Sequence, residues 1–395
     1  MLDYSEVRFA ALEGLLGSAA GVEAFFERYW ERCPLLVEDA RWPKDLLTSE
    51  GIEDLISFRR HGTDIVLART AFDGAAERAT YSSRHSTDAA DIDQAWRDGS
   101  TIIITGIHRR ESHIALFIQE LERAFQHAVG ANLYFTPATN QGFKTHVDDH
   151  DVFVLQLDGE KAWTVYDTDD EPRRTHARDA AAFPMQLVLK QGQALYIPKG
   201  YPHYAATLGS ASTHLTVGLY PFKLNDLISR SLCEVARAHP QLRLSISPLS
   251  NGGAQHIAPP LLEKALDEKF LASARRAMTK DFLQRAKPFI RGRFSQSRAA
   301  VGLGSKVHSR FHGMTLVEVK DRRVSIYFPG NYVSGPAALE AALQFVSEHE
   351  RFYPRELPGG LSDRTKVVLT QRLVREGLLT LDEEESCNGR KIADG

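Results

Sequence analysis

A polar cluster rich in potential metal ligands runs from Lys144 to Asp151 and contains two histidines and three aspartates. It stands directly before 152–157, one of the most strand-like apolar runs in the chain. If His146 begins that strand, His146 and Asp148 share one face while Asp149 points to the other, because side chains alternate along a strand. An imidazole and a carboxylate on one face can bind the same metal ion, so the cluster indicates a metal site.

A third ligand must come from another part of the chain, and His203 is a candidate. It follows the strand-like residues 194–197 and a tight turn of proline and glycine. Two histidines and one carboxylate leave coordination positions open on a metal, which is the arrangement of non-haem Fe(II) oxygenases. His150 is a rival ligand, because it lies on the same face of the expected strand as His146. The residue pattern does not decide between His150 and His203.

The elements that would position these residues lie between Thr101 and Tyr220, where short apolar or alternating runs are separated by Gly, Pro and Asp. This pattern is typical of many short antiparallel strands. The predicted strands are 101–104, 133–136, 152–157, 162–166, 186–189, 194–197 and 214–220. One helix is expected over 112–129, and the residues before about 60 are expected to be helical. Without any internal repeat, this middle segment is predicted to form a barrel or a sandwich.

The sequence after Pro221 changes to helical patterns rich in Leu, Ala, Lys and Glu. Helices are expected over 225–239, 259–278 and 281–291, and a smaller unit of strands and helices is expected from about 300. In that unit, Arg372–Leu379 has the form of a winged-helix element, although an amphipathic helix with a glycine cap explains it equally. We predict four segments: a barrel domain with N-terminal helices (1–222), a helical dimerisation region (223–299), a winged-helix-like domain (300–381) and a disordered tail (382–395).

Composition excludes several classes of protein. The 395 residues include 48 Lys and Arg against 51 Asp and Glu, so bulk charge gives no indication of nucleic-acid binding. The cysteines Cys33, Cys233 and Cys387 are far apart and form no CxxC pair, which fits a reducing compartment rather than a disulfide framework. The first residues lack the basic start of a signal peptide, and no apolar run approaches the roughly 18 residues of a membrane span. We therefore expect a cytoplasmic protein that does not contact membranes.

Several segments resemble the JmjC-type cupin family, to which the ribosomal oxygenases belong. The matching segments are 26–35, 132–166, 195–203 and 213–218. The resemblance is strongest over about residues 20 to 220. It implies a mainly β core with helical additions, built as a double-stranded β-helix, so that 1–222 would be a JmjC/cupin catalytic domain. The helical dimerisation region and the winged-helix-like domain fit the same family more loosely.

The resemblance implies a dioxygenase that depends on Fe(II) and 2-oxoglutarate and consumes O2. His146, Asp148 and His203 match the metal triad of the family. Lys161 stands where the family places the cation that pairs with the distal carboxylate of 2-oxoglutarate. A buried dicarboxylate needs such a partner, since an unpaired charge in a barrel interior is costly. The other positions that match the lining of the cosubstrate pocket are Asn132, Tyr134, His214 and Thr216.

The substrate implied by the resemblance is a side chain of a protein, with a ribosomal protein as first candidate, or of a peptide. Three alternatives stay open: a peptide-tailoring hydroxylase of a natural-product pathway, a JmjC-type demethylase of N-methyl-lysine, and a catalytically silent cupin whose winged helix contacts nucleic acid. A basic stretch from Lys280 to Arg298 favours the last, but a solvated helix face explains that stretch equally well. The complete triad together with Lys161 disfavours it.

The helical region 225–291 is expected to form a homodimer interface. It holds more apolar residues than one face of an isolated helical insert could hide, and monomers rarely expose large apolar patches. These residues are Leu227, Ile228, Leu232, Val235, Leu261, Leu262, Leu266, Phe270 and Leu271. The alternative is that the helices pack on the rest of the same chain.

Overall fold

The computed structural model describes residues 10–43, 46–58, 65–72, 79–86, 88–168, 183–243, 245, 261–286 and 300–382. Contacts divide the chain into two units, of which the first ends at Pro221 and the second begins at Phe222. The predicted tail after Asp382 and the residues 287–299, which carry most of the basic stretch, lie outside the described residues. None of the described helices combines the length and the apolar character that a membrane span requires.

The described part of the first unit has two antiparallel sheets. Its strands are β1 (Leu35–Val37), β2 (Ile65–Phe72), β3 (Ala79–His85), β4 (Thr101–Ile104), β5 (Ala128–Thr136), β6 (Asp151–Asp158), β7 (Glu160–Val165), β8 (Met185–Lys190), β9 (Ala194–Ile197), β10 (His203–Thr207) and β11 (Ser212–Tyr220). Its helices are α1 (Ala10–Leu15), α2 (Ala19–Ala24), α3 (Ser49–Phe58), α4 (Ala89–Arg97) and α5 (Ser112–Phe125). The larger sheet has the order β1-β9-β6-β11-β5-β4-β2-β3, and the smaller sheet has the order β10-β7-β8.

Strand β6 is apolar without alternation because both of its faces are buried. Phe153 and Leu155 belong to the core that includes the side chains of α5. Val152 and Val154 point the other way and pack with Trp163 of the smaller sheet. A strand covered on both sides reads as a continuous apolar run. The larger sheet therefore carries helices on one face and the smaller sheet on the other.

One boundary and one assumption drawn from the sequence are wrong. The helix expected over 112–129 ends at Phe125, because Gln126 adopts a left-handed backbone with φ 56° and donates its N–H to the Glu122 carbonyl. Strand β6 begins at Asp151, within one residue of the predicted 152–157, so the condition that His146 begins this strand is not met. The polar cluster that contains the candidate ligands is therefore a loop in front of the strand.

Glu122, near the end of α5, makes the stability of the first unit depend on pH. Burial raises the pKa of its carboxyl from 4.5 to about 7, although Oε1 accepts a hydrogen bond from the Val129 N–H at 3.4 Å. A carboxyl with a raised pKa stabilises the fold below the unfolded pKa, and this contribution is lost as pH rises through the folded pKa. We expect Glu122→Gln to stabilise the protein at about pH 8, by up to about 3 kcal/mol, and to have little effect at about pH 4.5. Thermal melts at the two pH values check this, and an equal shift at both would contradict it.

Residues 261–265 of the second unit are helical, and four α-helices and six strands are described over their full length. They are α6 (Leu224–Ala238), α7 (Glu268–Arg285), β12 (Val307–Ser309), β13 (Leu316–Lys320), β14 (Arg323–Phe328), β15 (Asn331–Pro336), α8 (Glu340–Glu348), β16 (Arg351–Phe352), α9 (Asp363–Glu376) and β17 (Leu379–Leu381). The strands form two three-stranded sheets, β16-β12-β17 and β13-β14-β15. The helices predicted over 259–278 and 281–291 are divided differently in the structure. Residues 261–265 are helical, and after a turn α7 runs without a break through Thr279 and Lys280 to Arg285, since neither of these residues breaks a helix. The division of this unit into a helical region and a winged-helix-like domain stays a prediction.

Candidate metal centre

Three side chains with ligand atoms converge where two loops meet. His146 and Asp148 lie in the loop between β5 and β6, and His203 is the first residue of β10. The His146 N–H donates to the His203 carbonyl at 3.1 Å, and the His203 N–H donates back to the His146 carbonyl at 2.9 Å. One ligand atom from each of the three side chains lies within 4.8 Å of the other two. At this separation the three groups can bind a single metal ion.

Hydrogen bonds orient both imidazoles so that Nε2 faces the carboxylate. Nδ1 of His146 lies 3.0 Å from the Lys144 carbonyl oxygen, and Nδ1 of His203 lies 2.9 Å from the Tyr201 carbonyl oxygen. A carbonyl oxygen only accepts, so each Nδ1 carries the proton and each Nε2 keeps its lone pair. Nε2 of His146 is 3.9 Å from Asp148 Oδ1, and Nε2 of His203 is 3.6 Å from Asp148 Oδ2. Burial also lowers the pKa of His203, which favours the neutral form that binds metals.

Three hydrogen bonds hold the turn that precedes His203. The Lys199 N–H donates to Oδ1 of the buried Asp151 at 2.7 Å, and the Gly200 N–H donates to the Asp148 carbonyl at 3.0 Å. The buried Tyr201 donates its hydroxyl to a backbone carbonyl of the N-terminal region at 2.6 Å. These contacts fix the backbone that carries the ligands. Asp151 and Tyr201 were not apparent from the sequence, where their only signal was adjacency to the ligand motifs.

The three candidate ligands open into a cavity of about 190 Å³ that is lined by residues of both sheets. All eight residues singled out as site residues from the sequence line this cavity: Asn132, Tyr134, His146, Asp148, Lys161, His203, His214 and Thr216. The other lining residues are Thr101, Gly142, Phe143, His150, Val152, Val154, Trp163 and Ala205. The cavity thus combines the His-Asp-His cluster with polar groups from several strands.

Lys161 places a cation deep in this cavity. Lys161 is only 3% exposed, and its Nζ donates a hydrogen bond to Thr136 Oγ1 at 3.0 Å. The Thr136 oxygen also accepts a hydrogen bond from Thr101 Oγ1 at 3.1 Å. Burial lowers the pKa of the Lys161 ammonium to about 7. Among the described residues no carboxylate pairs with it, so the ammonium is available to an anionic ligand.

Strands β5 and β11 present four more polar side chains to the cavity. Tyr134 pairs with His214 and Asn132 pairs with Thr216 in the register of the two strands, and residues two apart face the same side. The rings of Tyr134 and His214 stack with centroids 4.7 Å apart. Burial, and then the neighbouring ammonium, holds the pKa of His214 well below its usual value, so the ring is neutral. Asn132 Oδ1 accepts the Gly106 N–H at 2.9 Å, which fixes its amide.

His150, the rival ligand, lies beside the three-residue cluster and is not part of it. Its Nδ1 is 2.9 Å from Asp149 Oδ1, and its ring stacks on Tyr220 with centroids 4.7 Å apart. The side chain of Asp149 is 95% exposed. The geometry therefore favours His203 over His150 as the third ligand.

Residues 109–227, which contain the whole His-Asp-His cluster, match a family profile described as the JmjC domain. The similarity to the JmjC domain covers these residues, which are less than half of the chain. It is 32% identical over 264 residues to ribosomal oxygenase 2 of Bos taurus, over 61% of this chain and 56% of that protein. It is 26% identical over 318 residues to the bifunctional lysine-specific demethylase and histidyl-hydroxylase NO66 of Aedes aegypti, over 71% of this chain and 49% of that protein. The chain thus spans about half the length of these two relatives.

A solved structure has a similar fold. YcfD, a ribosomal oxygenase from Escherichia coli in complex with cobalt and 2-oxoglutarate, aligns with a TM-score of 0.56 and 16% identity, over 91% of this chain and 98% of YcfD. The same protein in complex with cobalt and succinic acid aligns with a TM-score of 0.54. At this identity the similarity concerns the fold. It confirms the expected mainly β, cupin/JmjC-type architecture with added helices.

Proposed function

We propose that the chain is an Fe(II)- and 2-oxoglutarate-dependent dioxygenase that hydroxylates a side chain of a protein or peptide substrate. The observation that carries this proposal is the presence of a His-Asp-His cluster and a buried lysine in one cavity. The His-Asp-His cluster can bind a metal ion and leave coordination positions open for a cosubstrate. A dicarboxylate bound beside the metal needs a cation as partner, and the buried lysine supplies one. The oxygenase and hydroxylase names of the relatives support the same activity.

The donor set fits Fe(II). His146, Asp148 and His203 would hold the ion, because two imidazoles and one carboxylate are the ligands that leave open positions on this metal. The backbone carbonyls of Lys144 and Tyr201 keep both imidazoles in the form with Nε2 unprotonated. Such outer contacts raise ligand basicity and fix ring orientation.

Lys161 would bind the distal carboxylate of 2-oxoglutarate. The Thr136 oxygen accepts from both Lys161 and Thr101, so the Thr136 hydroxyl proton can be donated to the same carboxylate. The neutral, stacked rings of Tyr134 and His214 form an uncharged wall beside it and exclude water. When bound, the metal and cosubstrate supply the oxidation: O2 and 2-oxoglutarate are consumed, succinate and CO2 are released, and an oxygen atom enters a substrate C–H bond.

The proposed substrate is a protein side chain, and the name ribosomal oxygenase of the relatives supports a ribosomal protein. A peptide of a natural-product pathway is an alternative substrate for the same chemistry. Demethylation of N-methyl-lysine is the second candidate, since it begins with the same C–H oxidation and the name of one relative includes it. The free cysteines Cys33 and Cys233 support a reducing setting, which we propose to be the cytoplasm.

A catalytically silent module that binds nucleic acid is the weaker alternative. It gives no role to the buried ammonium of Lys161, whose burial is costly without an anionic ligand. In the described part of the basic stretch, Lys280 is already paired with Glu318 at 2.7 Å. We therefore do not propose nucleic acid as a partner.

Mass spectrometry of ribosomal proteins tests the proposal. Proteins from a strain that lacks this gene are incubated with the purified chain, Fe(II), 2-oxoglutarate and O2. Hydroxylation adds the mass of one oxygen atom to one peptide, whereas demethylation removes a methylene and releases formaldehyde. Unchanged peptides together with unconsumed 2-oxoglutarate would contradict both enzymatic candidates.

We also propose that the chain forms a homodimer through its helical region. Val235 and Leu261 pack in a small cluster of that region, whereas Leu262 and Leu266 are 48% and 59% exposed. Light scattering should give about twice the chain mass of 44.1 kDa. Leu262→Glu with Leu266→Glu should return the single-chain mass without loss of metal binding, whereas Val319→Glu, at an exposed position of β13, should not. A mass near 44.1 kDa for the parent protein at micromolar concentration would refute the dimer.

A further inference from the structure

A second cavity adjoins the metal cavity in the first unit. Its volume is about 630 Å³, and Asn132 lines both cavities. Tyr220 lines the second cavity and stacks on His150, which lines the first. The two cavities therefore share Asn132, and the stacked rings of Tyr220 and His150 connect their walls. A polypeptide with one side chain at the metal can extend into the second cavity.

Residues 128–132 of strand β5 line one side of the second cavity. A Cβ atom added to Gly130 would lie 3.3 Å from Tyr220 Cε2 and 3.7 Å from His108 Cε1. Gly130 therefore leaves open the space between these two rings. The His108 ring is held in place, because its Nδ1 accepts the Ala131 N–H at 3.0 Å.

Arg109 and Arg110 both line this cavity, and Arg110 already interacts with another group. Arg109 is the arginine available to a ligand. It is exposed, lines the cavity and forms no ion pair with any described carboxylate. Tyr220 lines the same space, and its hydroxyl can donate a hydrogen bond because a phenol is protonated at neutral pH. A guanidinium binds a carboxylate through two parallel hydrogen bonds. A guanidinium and a hydroxyl donor on the wall of one cavity fit a carboxylate.

We propose that the second cavity binds an acidic side chain of the polypeptide substrate and that Arg109 determines this specificity. Tyr220 would supply a further hydrogen bond to the same carboxylate. The inference rests on the proposed function, because it takes the residue at the metal and the acidic residue as parts of one polypeptide. Beyond the proposed function, the inference predicts that the enzyme prefers substrates with an acidic residue near the modified residue.

Retention of peptides on immobilised protein tests this specificity without relying on turnover. The probes are pools of synthetic peptides with a fixed Glu, and matched pools with Gln at the same position, applied under nitrogen to protein loaded with Mn(II) and 2-oxoglutarate. The Glu pools should be retained about tenfold better, the size of one hydrogen-bonded contact to a charged group. Arg109→Gln should bring the ratio to about one, and Arg109→Glu should favour matched Lys pools. Arg97→Gln, which removes an exposed arginine paired with Asp93 on α4, should keep the parent ratio.

Equal retention of the Glu and Gln pools on the parent protein would overturn the inference. An unchanged ratio in Arg109→Gln would overturn it as well. Failure of the proposed function gives a different result, namely no conversion of 2-oxoglutarate with any substrate. The two failures are therefore distinguishable.

Discussion

Asp148→Ala should abolish conversion of 2-oxoglutarate in a protein that stays folded. The two carboxylate oxygens of Asp148 face Nε2 of His146 and Nε2 of His203 at 3.9 and 3.6 Å, so the substitution removes one of three ligands. The residue lies in a loop outside the hydrophobic cores, and its loss leaves core packing unchanged. We expect the affinity for Mn(II), measured by titration calorimetry, to fall by more than about 100-fold. Loss of a residue that only hydrogen-bonds to a metal ligand typically costs about 10–100-fold. The melting temperature without metal should not fall.

His150→Ala is the matched control for this prediction. His150 lies in the same loop and lines the same cavity, but its contacts are with Asp149 and Tyr220. Its removal should leave most of the metal affinity. Loss of metal binding in His150→Ala, together with retention in His203→Ala, would show that the third ligand is assigned wrongly.

Lys161→Met should raise the Michaelis constant for 2-oxoglutarate by about two orders of magnitude. Loss of one partner of a buried charge pair costs about 2–5 kcal/mol, much of it from the charge left unpaired. The metal affinity should change little, because Lys161 bonds to Thr136 and not to a candidate ligand. Lys190→Met is the control, since Lys190 is exposed and does not line the cavity. Equal effects of the two substitutions would mean that another cation holds the distal carboxylate.

The same lysine predicts how cosubstrate binding depends on pH. Burial lowers the Lys161 pKa to about 7, and only the protonated ammonium pairs with a carboxylate. The affinity for 2-oxoglutarate should therefore fall as pH rises above about 7 in the parent protein and lose this dependence in Lys161→Met. The fold should be more stable in Lys161→Met at neutral pH, because a group whose pKa is depressed by burial destabilises the folded state below its unfolded pKa. If Lys161→Met is more stable but binds 2-oxoglutarate more weakly, the loss of binding is not caused by unfolding.

The sequence predicted the site well where chemistry and strand signals are adjacent in the chain. His146 and Asp148 precede the apolar run of β6, and His203 opens β10 after a recognisable turn. The assignments of Lys161, Asn132 and the other pocket positions came from family resemblance, since a lysine after a turn is otherwise expected to be solvated. The structure places all of them around one cavity.

Contacts set by strand register could not be predicted. Thr136 meets Lys161 although the two residues are 25 positions apart, and the buried Asp151 holds a turn 48 positions later. Strands β2 and β3 escaped notice because polar residues such as Arg69 and Ser82 interrupt their apolar pattern. The end of α5 was misplaced because Gln126, rather than glycine, adopts the left-handed conformation that stops the helix.

An anaerobic titration of the metal-free protein with Fe(II) and then 2-oxoglutarate, followed by visible absorption, tests the metal and cosubstrate sites most directly. A 2-oxo acid that chelates Fe(II) gives a charge-transfer band that neither component gives alone. The band should saturate at one Fe(II) and one 2-oxoglutarate per chain, be absent in Asp148→Ala and require far more 2-oxoglutarate in Lys161→Met. A folded parent protein without the band, or an Asp148→Ala variant with the parent's band, would contradict the assignment of His146, Asp148 and His203 as the iron site.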